Sequence, residues 1–146
     1  MTFQFHPGLV SPQAFWDAIG KPSRWRIIRL RIAKSVVVKQ LIDTMIPPTT
    51  RAYFSLIENG RRPVSVEMLS RCGRALGLGR LDYARLTAPN GEIWELEEKC
   101  ADLWSAAGRP EDMAIVLDLE RRVFEEAKIA LPNEFLADHR KLSRAK

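Results

Sequence analysis

The chain is predicted to be all-α, on three observations. Apolar residues recur at steps of three and four along most of its length, Gly and Pro punctuate the gaps between these runs, and Ser or Thr stands where several runs begin. The expected architecture is a five-helix module over residues 21–87. An N-terminal extension over residues 1–20 carries a short helix, and a helical hairpin follows over residues 88–146. With 146 residues, 46% of them hydrophobic, the chain can bury a real core in one compact domain with a small appendage.

Each element has a local cause. Ser11 and Pro12 supply the cap and first position of a short helix to Ile19, which Gly20 and Pro22 end. Ser23 caps a segment to about Lys34, with Trp25, Ile28 and Ile32 at helical spacing and Arg24, Arg26, Arg29 and Arg31 on the other faces. Ser35 is expected to cap a helix over residues 36–45, in which Val38, Leu41, Ile42 and Met45 face the core. Ile46, Pro47 and Pro48 form a stiff turn, because each proline fixes its own φ and biases its predecessor away from helix. Thr49 or Thr50 caps the next helix, to about Asn59, with Phe54 and Ile57 inward. Gly60 supplies a left-handed residue at the helix end, Pro63 blocks continuation, and Ser65 caps residues 66–76 with Val66, Leu69, Cys72 and Leu76 inward. A last short helix is expected over about 80–86.

Charge divides the chain unevenly. Residues 21–86 hold 14 Lys/Arg against 4 Asp/Glu, a balance of +10, whereas residues 87–146 hold 9 against 13, a balance of −4. We read this asymmetry as a statement about partners: a basic module for an anionic partner, joined to an acidic one. The start, MTFQFHPGLV, lacks the basic and long apolar regions of a signal peptide, and no apolar run reaches spanning length. The expectation is a soluble, cytoplasmic protein without membrane association. Cys72 and Cys100 fall inside helical patterns and are expected to be buried and reduced. His6 and His139 lie far apart with no neighbouring Cys, so no metal and no cofactor is expected. Nor is an enzyme: there is no phosphate-cradling glycine loop and no Cys/His ligand spacing, and acid pairs such as Glu97 and Glu98 are assigned to an exposed helical face.

The most informative stretch is IENGRRP at residues 57–63. It places two arginines, Arg61 and Arg62, at a sharp corner after a short helix that opens with Thr49, Thr50 and Arg51. An α-helix fits the major groove of B-DNA, and the planar fork of arginine meets guanine O6 and N7 together. Arg51 is therefore the leading base reader. Asn59, Arg61 and Arg62 suit phosphates, which orient a domain without selecting sequence. The four upstream arginines could extend that phosphate-gripping surface, although Arg26 and Arg29, taken alone, read more simply as solvated side chains. Tyr53 stands either as a core-edge aromatic or as a groove contact.

Residues 24–86 resemble the DNA-binding domain of the λ-repressor-like (XRE-type) helix-turn-helix family. The likeness is carried by Arg31, QLI at 40–42, TTRAYFSLIENGRRP from Thr49 to Pro63, and the spacing on to Leu69 and Leu76. It implies a structural ion pair between Arg31 and Glu58, tying the first helix of the module to the end of the third. It also implies base-facing roles for Thr50, Ala52 and Ser55, with Leu56 at a position that serves packing equally well. Two departures from the family pattern stand out: a turn about two residues longer, at Ile46 to Pro48, and Val38 where a phosphate-binding glutamine is usual. Ser35 and nearby backbone N–H groups are the replacement expected to meet a phosphate.

Beyond the linker Pro89–Gly91, Ile93, Leu96, Cys100, Leu103 and Ala107 repeat at helical steps, flanked by Trp94 and Trp104. Gly108 and Pro110 mark a hairpin. The next helix carries Val116, Leu119, Val123, Ala127 and Ala130, with Met113, Leu117, Phe124 and Leu131 beside them, an apolar arc of roughly 160°. Such breadth calls for two neighbours, and the second is expected to be another copy of the chain. Ile93, Trp94, Leu96, Leu103, Trp104, Val116, Leu119, Val123 and Phe124 are then the homodimer interface; the competing expectation is that these helices cover their own monomer. A weak helical pattern runs through Phe135, Leu136 and Leu142.

Together these readings describe a sequence-specific double-stranded DNA-binding transcriptional regulator, a dimeric repressor on a palindromic operator. The alternative is an antitoxin-type protein that neutralises a basic partner protein through its acidic helices and autoregulates through DNA.

Overall fold

The computed structural model describes residues 20–79, 85–89 and 91–144. The short helix expected before Ile19 lies outside these residues, as does most of the one expected over 80–86. Among the described residues the chain is mostly helical, with seven helices and one two-stranded ribbon. The order is β1 (Lys21–Pro22), α1 (Arg24–Ala33), α2 (Val38–Asp43), α3 (Arg51–Glu58), α4 (Val66–Ala75), β2 (Thr87–Ala88), α5 (Glu92–Ala106), α6 (Met113–Ala127) and α7 (Asn133–Arg144). The ribbon, which the sequence reading did not anticipate, pairs Lys21 with Ala88 and Pro22 with Thr87 in antiparallel register. No helix among the described residues is long and apolar enough to cross a membrane.

Capping sets most of the helix starts. The hydroxyls of Ser23, Thr50 and Ser65 accept from the N–H groups of Arg26 (3.3 Å), Tyr53 (3.1 Å) and Met68 (3.0 Å), and the Asp112 carboxylate accepts from Ala114 (2.8 Å). Such caps typically stabilise a helix by about 1 kcal/mol each. Ser35 is a correction. It takes a left-handed conformation (φ +58°) in the preceding turn, α2 starts later with Val37 as its cap residue, and Gln40 Oε1 accepts from the Val37 N–H at 3.0 Å. With Val36 and Val37 spent before its first residue, α2 covers six residues instead of the ten expected. Gly60 does adopt the left-handed φ expected of it (+83°), and a side chain there would stand about 3.0 Å from the Arg24 guanidinium.

Helix α1 is the centre of the molecule. Trp25, Ile28 and Ile32 join Cys100, Ala101 and Trp104 of α5, Val116, Leu119, Val123 and Phe124 of α6, and Phe135 of α7 in one apolar cluster. Ile27, on the other side of α1, joins Leu41, Met45, Phe54, Ile57, Met68, Leu69 and Cys72 in a second. A helix apolar on both sides must be buried all round. Its arginines are buried with it: Arg24, Arg26, Arg29 and Arg31 are each at most 6% exposed.

This corrects the reading of the charge asymmetry. Arg24 donates to Glu98 (2.9 Å), to Asp102 and to the Glu58 carbonyl (2.9 Å). Arg26 grips Glu97 through Nε and Nη2, both at 2.9 Å, and reaches Glu134 at 3.2 Å. Arg29 donates to Glu120 (2.7 Å) and Asp138 (2.6 Å), and its guanidinium lies 4.2 Å from the centre of the Phe135 ring. Arg31 pairs with Glu58 (3.1 Å) and with Glu111. Seven of the 13 acidic residues after residue 86 therefore serve as internal counterions to one helix. Neither phosphate gripping nor solvation is open to these arginines, and Glu97, expected at the surface, is fully buried.

The expected dimer interface is corrected as well. Trp104, Val116, Leu119, Val123 and Phe124 are buried within one chain, with Ile93 and Leu96 packed against the same cluster. The Trp94 indole donates to the Pro22 carbonyl at 3.1 Å beneath the Lys21 ammonium. The second neighbour demanded by the wide apolar arc is α1 together with α7, a helix of 12 residues where the sequence shows only a weak helical pattern. Of the nine residues, only Leu103 remains substantially exposed, joined on α6 by Ile115. Ala130 falls beyond the end of α6, where Lys128 is left-handed. Cys72 and Cys100 are buried and unpaired, as expected; burial, with Glu58 nearby, pushes the Cys72 thiol up to about 12.

Candidate nucleic-acid interface

The second apolar cluster fixes α3 from beneath. Phe54 and Ile57 point into it, and Glu58 follows them inward, paired with Arg31 at 3.1 Å as the family resemblance implies. The first turn of α3 is thereby left facing out. Arg51, Ala52 and Tyr53 are exposed in its first turn, with Thr50 exposed as its cap, Thr49 half-buried before it and Leu56 half-buried behind. Arg61 and Arg62 are exposed in the turn that follows.

That turn is tightly defined. The N–H groups of Arg61 and Arg62 both donate to the Leu56 carbonyl, at 2.9 and 3.1 Å, and Asn59 Oδ1 accepts a further bond from the Arg61 N–H at 3.2 Å. Asn59 thus positions Arg61, and its amide nitrogen is left over for a ligand. Underneath, the Arg24 guanidinium holds the Glu58 carbonyl and closes against Gly60. A buried arginine therefore seats the corner on which two exposed ones stand.

Ser55 departs from expectation. It is half-buried and accepts from Arg109 Nη1 at 3.1 Å, so it faces the α5–α6 turn and not the outward side of α3. Ser35, outside α2, is exposed. The structure thus brings together Thr50, Arg51, Ala52 and Tyr53 at one end of α3 and Asn59, Arg61 and Arg62 at the other; Ser55, one turn on from Arg51, is engaged by Arg109, and Ser35 is set apart from them.

Charge sharpens the contrast. Hydrogen bonds to Glu111 and the carboxylates Glu58 and Glu111 overcome the burial that opposes the Arg31 charge, and its pKa is raised. Arg26 is raised in the same way by Glu97 and Glu134. Burial lifts the Glu97 carboxyl above its ordinary value, while Arg26 and the Ser23 hydroxyl (2.7 Å) pull it back. By contrast, Arg51, Arg61 and Arg62 are solvent-exposed and their side chains make no ion pair or hydrogen bond among the described residues.

Arg109 and Glu111, to which the sequence reading gave no role, shape this region. Gly108 and Arg109 take positive φ (+91° and +58°) to turn the α5–α6 hairpin, and Arg109 bonds Glu58 as well as Ser55. Glu111 holds Arg31 from the same turn. The hairpin tip is therefore fastened to the inner end of α3. Compared with protein-family models, with curated proteins and with solved structures, the chain matches none.

Proposed function

We propose that this protein is a sequence-specific double-stranded DNA-binding transcriptional regulator that reads its site with the first turn of α3. The observation that carries the reading is the distribution of uncommitted arginine. Four of the module's arginines are neutralised inside, whereas Arg51, Arg61 and Arg62 stand exposed, and unpaired among the described residues, at the two ends of one short, capped helix. A cation at a helix start suits base-edge readout, and a pair at the following corner suits the phosphate backbone. The four-helix arrangement α1 to α4, with Arg31 tied to Glu58, supports reading this part as a λ-repressor-like helix-turn-helix unit.

The regulator acts as a homodimer on a twofold site, since one short helix contacts too few base pairs for genomic specificity. With the former interface residues occupied internally, Leu103 and Ile115 on the outside of the hairpin are the apolar side chains left for a second copy. Occlusion of a promoter is the mode of regulation in this reading. The antitoxin alternative loses ground, because so many acidic side chains that would neutralise a basic partner are already engaged.

Selection of bound sites from random duplex DNA is the decisive experiment, and it should return one motif with twofold symmetry. Arg51→Ala should then cost about 1–3 kcal/mol on that motif and relax one base position. Absence of any enriched motif, or an unchanged preference in Arg51→Ala, would overturn the reading.

A further inference from the structure

Beside the outward face of α3 lies a cleft of about 300 Å³, walled by Val37 and Val38 of the α2 start, Arg51 and Ser55 of α3, and Arg109 and Glu111 of the hairpin turn, with Arg31 and Trp104 also lining it. Its size falls at the lower end of small-molecule sites. Its chemistry is divided. Val37 is 47% exposed and forms an apolar wall with Val38. The opposite side is ionic: Arg31 is held by Glu58 and Glu111, and Arg109 by Glu58 and Ser55. Three guanidiniums thus meet two carboxylates, and the surplus of one positive charge rests on Arg51, which has no partner among the described residues.

We propose that this cleft binds a small organic monoanion with a flat apolar body, of which an aromatic carboxylate is the representative chemistry. One carboxylate balances the surplus charge by pairing with Arg51, while the apolar body covers the valine wall that water otherwise wets. A dianion would reverse the local charge, and a cation would meet the unpaired guanidinium. On the DNA-binding reading, from which this consequence follows, the ligand withdraws Arg51 from the groove. Ligand and operator then weaken each other's binding by the same factor.

The test titrates 2-naphthoate into the full-length protein while the Trp104 indole N–H, which donates to the Pro110 carbonyl at 2.7 Å, is followed by NMR. A saturable shift is expected, with binding at least about tenfold weaker for the neutral isostere 2-naphthamide and for Arg51→Gln. No saturable shift, equal affinity for the amide, or unchanged affinity in Arg51→Gln would each overturn the site. A parallel titration on the selected DNA motif separates the two readings. Naphthoate binding without any DNA binding sinks the regulator and leaves the ligand site standing; DNA binding without naphthoate binding does the reverse.

Discussion

Helix α1 and helix α3 use the same side chain for opposite purposes. On α1, four arginines are sealed between two apolar clusters and each is answered by carboxylates, most of them from α5, α6 and α7. Around α3, three arginines keep their charge in solvent with no counterion among the described residues. The difference comes from the apolar residues between them. A helix with hydrophobic side chains on both sides carries its cations indoors, where they must find partners. A helix with one inward face leaves them outside, available to a phosphate or a base.

The largest effect that could break this comparison is on stability. Glu97→Ala strands the Arg26 guanidinium in the interior and should lower the unfolding free energy by about 3–5 kcal/mol, read from urea denaturation. A loss below about 1 kcal/mol would mean that water reaches α1, and the contrast with α3 would dissolve. Next in size is Arg61→Ala, which should leave the denaturation midpoint unchanged but weaken binding to all DNA sequences alike. It should also flatten the log–log salt slope by about 0.9, the contribution of one phosphate contact. A sequence-selective defect instead would move Arg61 from the backbone to the bases. The smallest effect sharpens the rule that exposure decides: Asp43→Ala breaks the 2.9 Å ion pair with Lys39, both partners exposed, and should change stability by no more than about 0.5 kcal/mol.

Much of the fold was legible. Ser23, Thr50 and Ser65 cap where expected, Gly60 takes its left-handed φ, and the helices over 24–33, 51–58 and 66–75 follow local signals that tertiary packing does not contradict. The role of α1 was not recovered, although the information was present. Trp25, Ile28 and Ile32 define one stripe, but Ile27 and Leu30 lie on the other side of the same helix, and a helix apolar all round is a buried one. From that burial it follows that Arg24, Arg26, Arg29 and Arg31 need counterions, for which the acid-rich hairpin is the obvious source. The charge asymmetry was thus a statement about the fold before it was one about partners. The position of Arg109 against Ser55 and Glu58 was beyond local reasoning, because it depends on how the hairpin tip docks more than 50 residues away in sequence. The α3 end of the candidate site was legible for the opposite reason: a cap, a first turn and a glycine corner are all local.

The sealing of α1 between the two apolar clusters has a practical corollary for anyone wishing to borrow the basic N-terminal part. Cutting the chain near Pro89 would strip most of the counterions from four interior guanidiniums and bare Trp25, Ile28 and Ile32 at once. The N-terminal portion is therefore no detachable cassette. Chimeras that graft it elsewhere need to carry the hairpin along, or to redesign α1 with a polar outer face before the transplant can hold its shape.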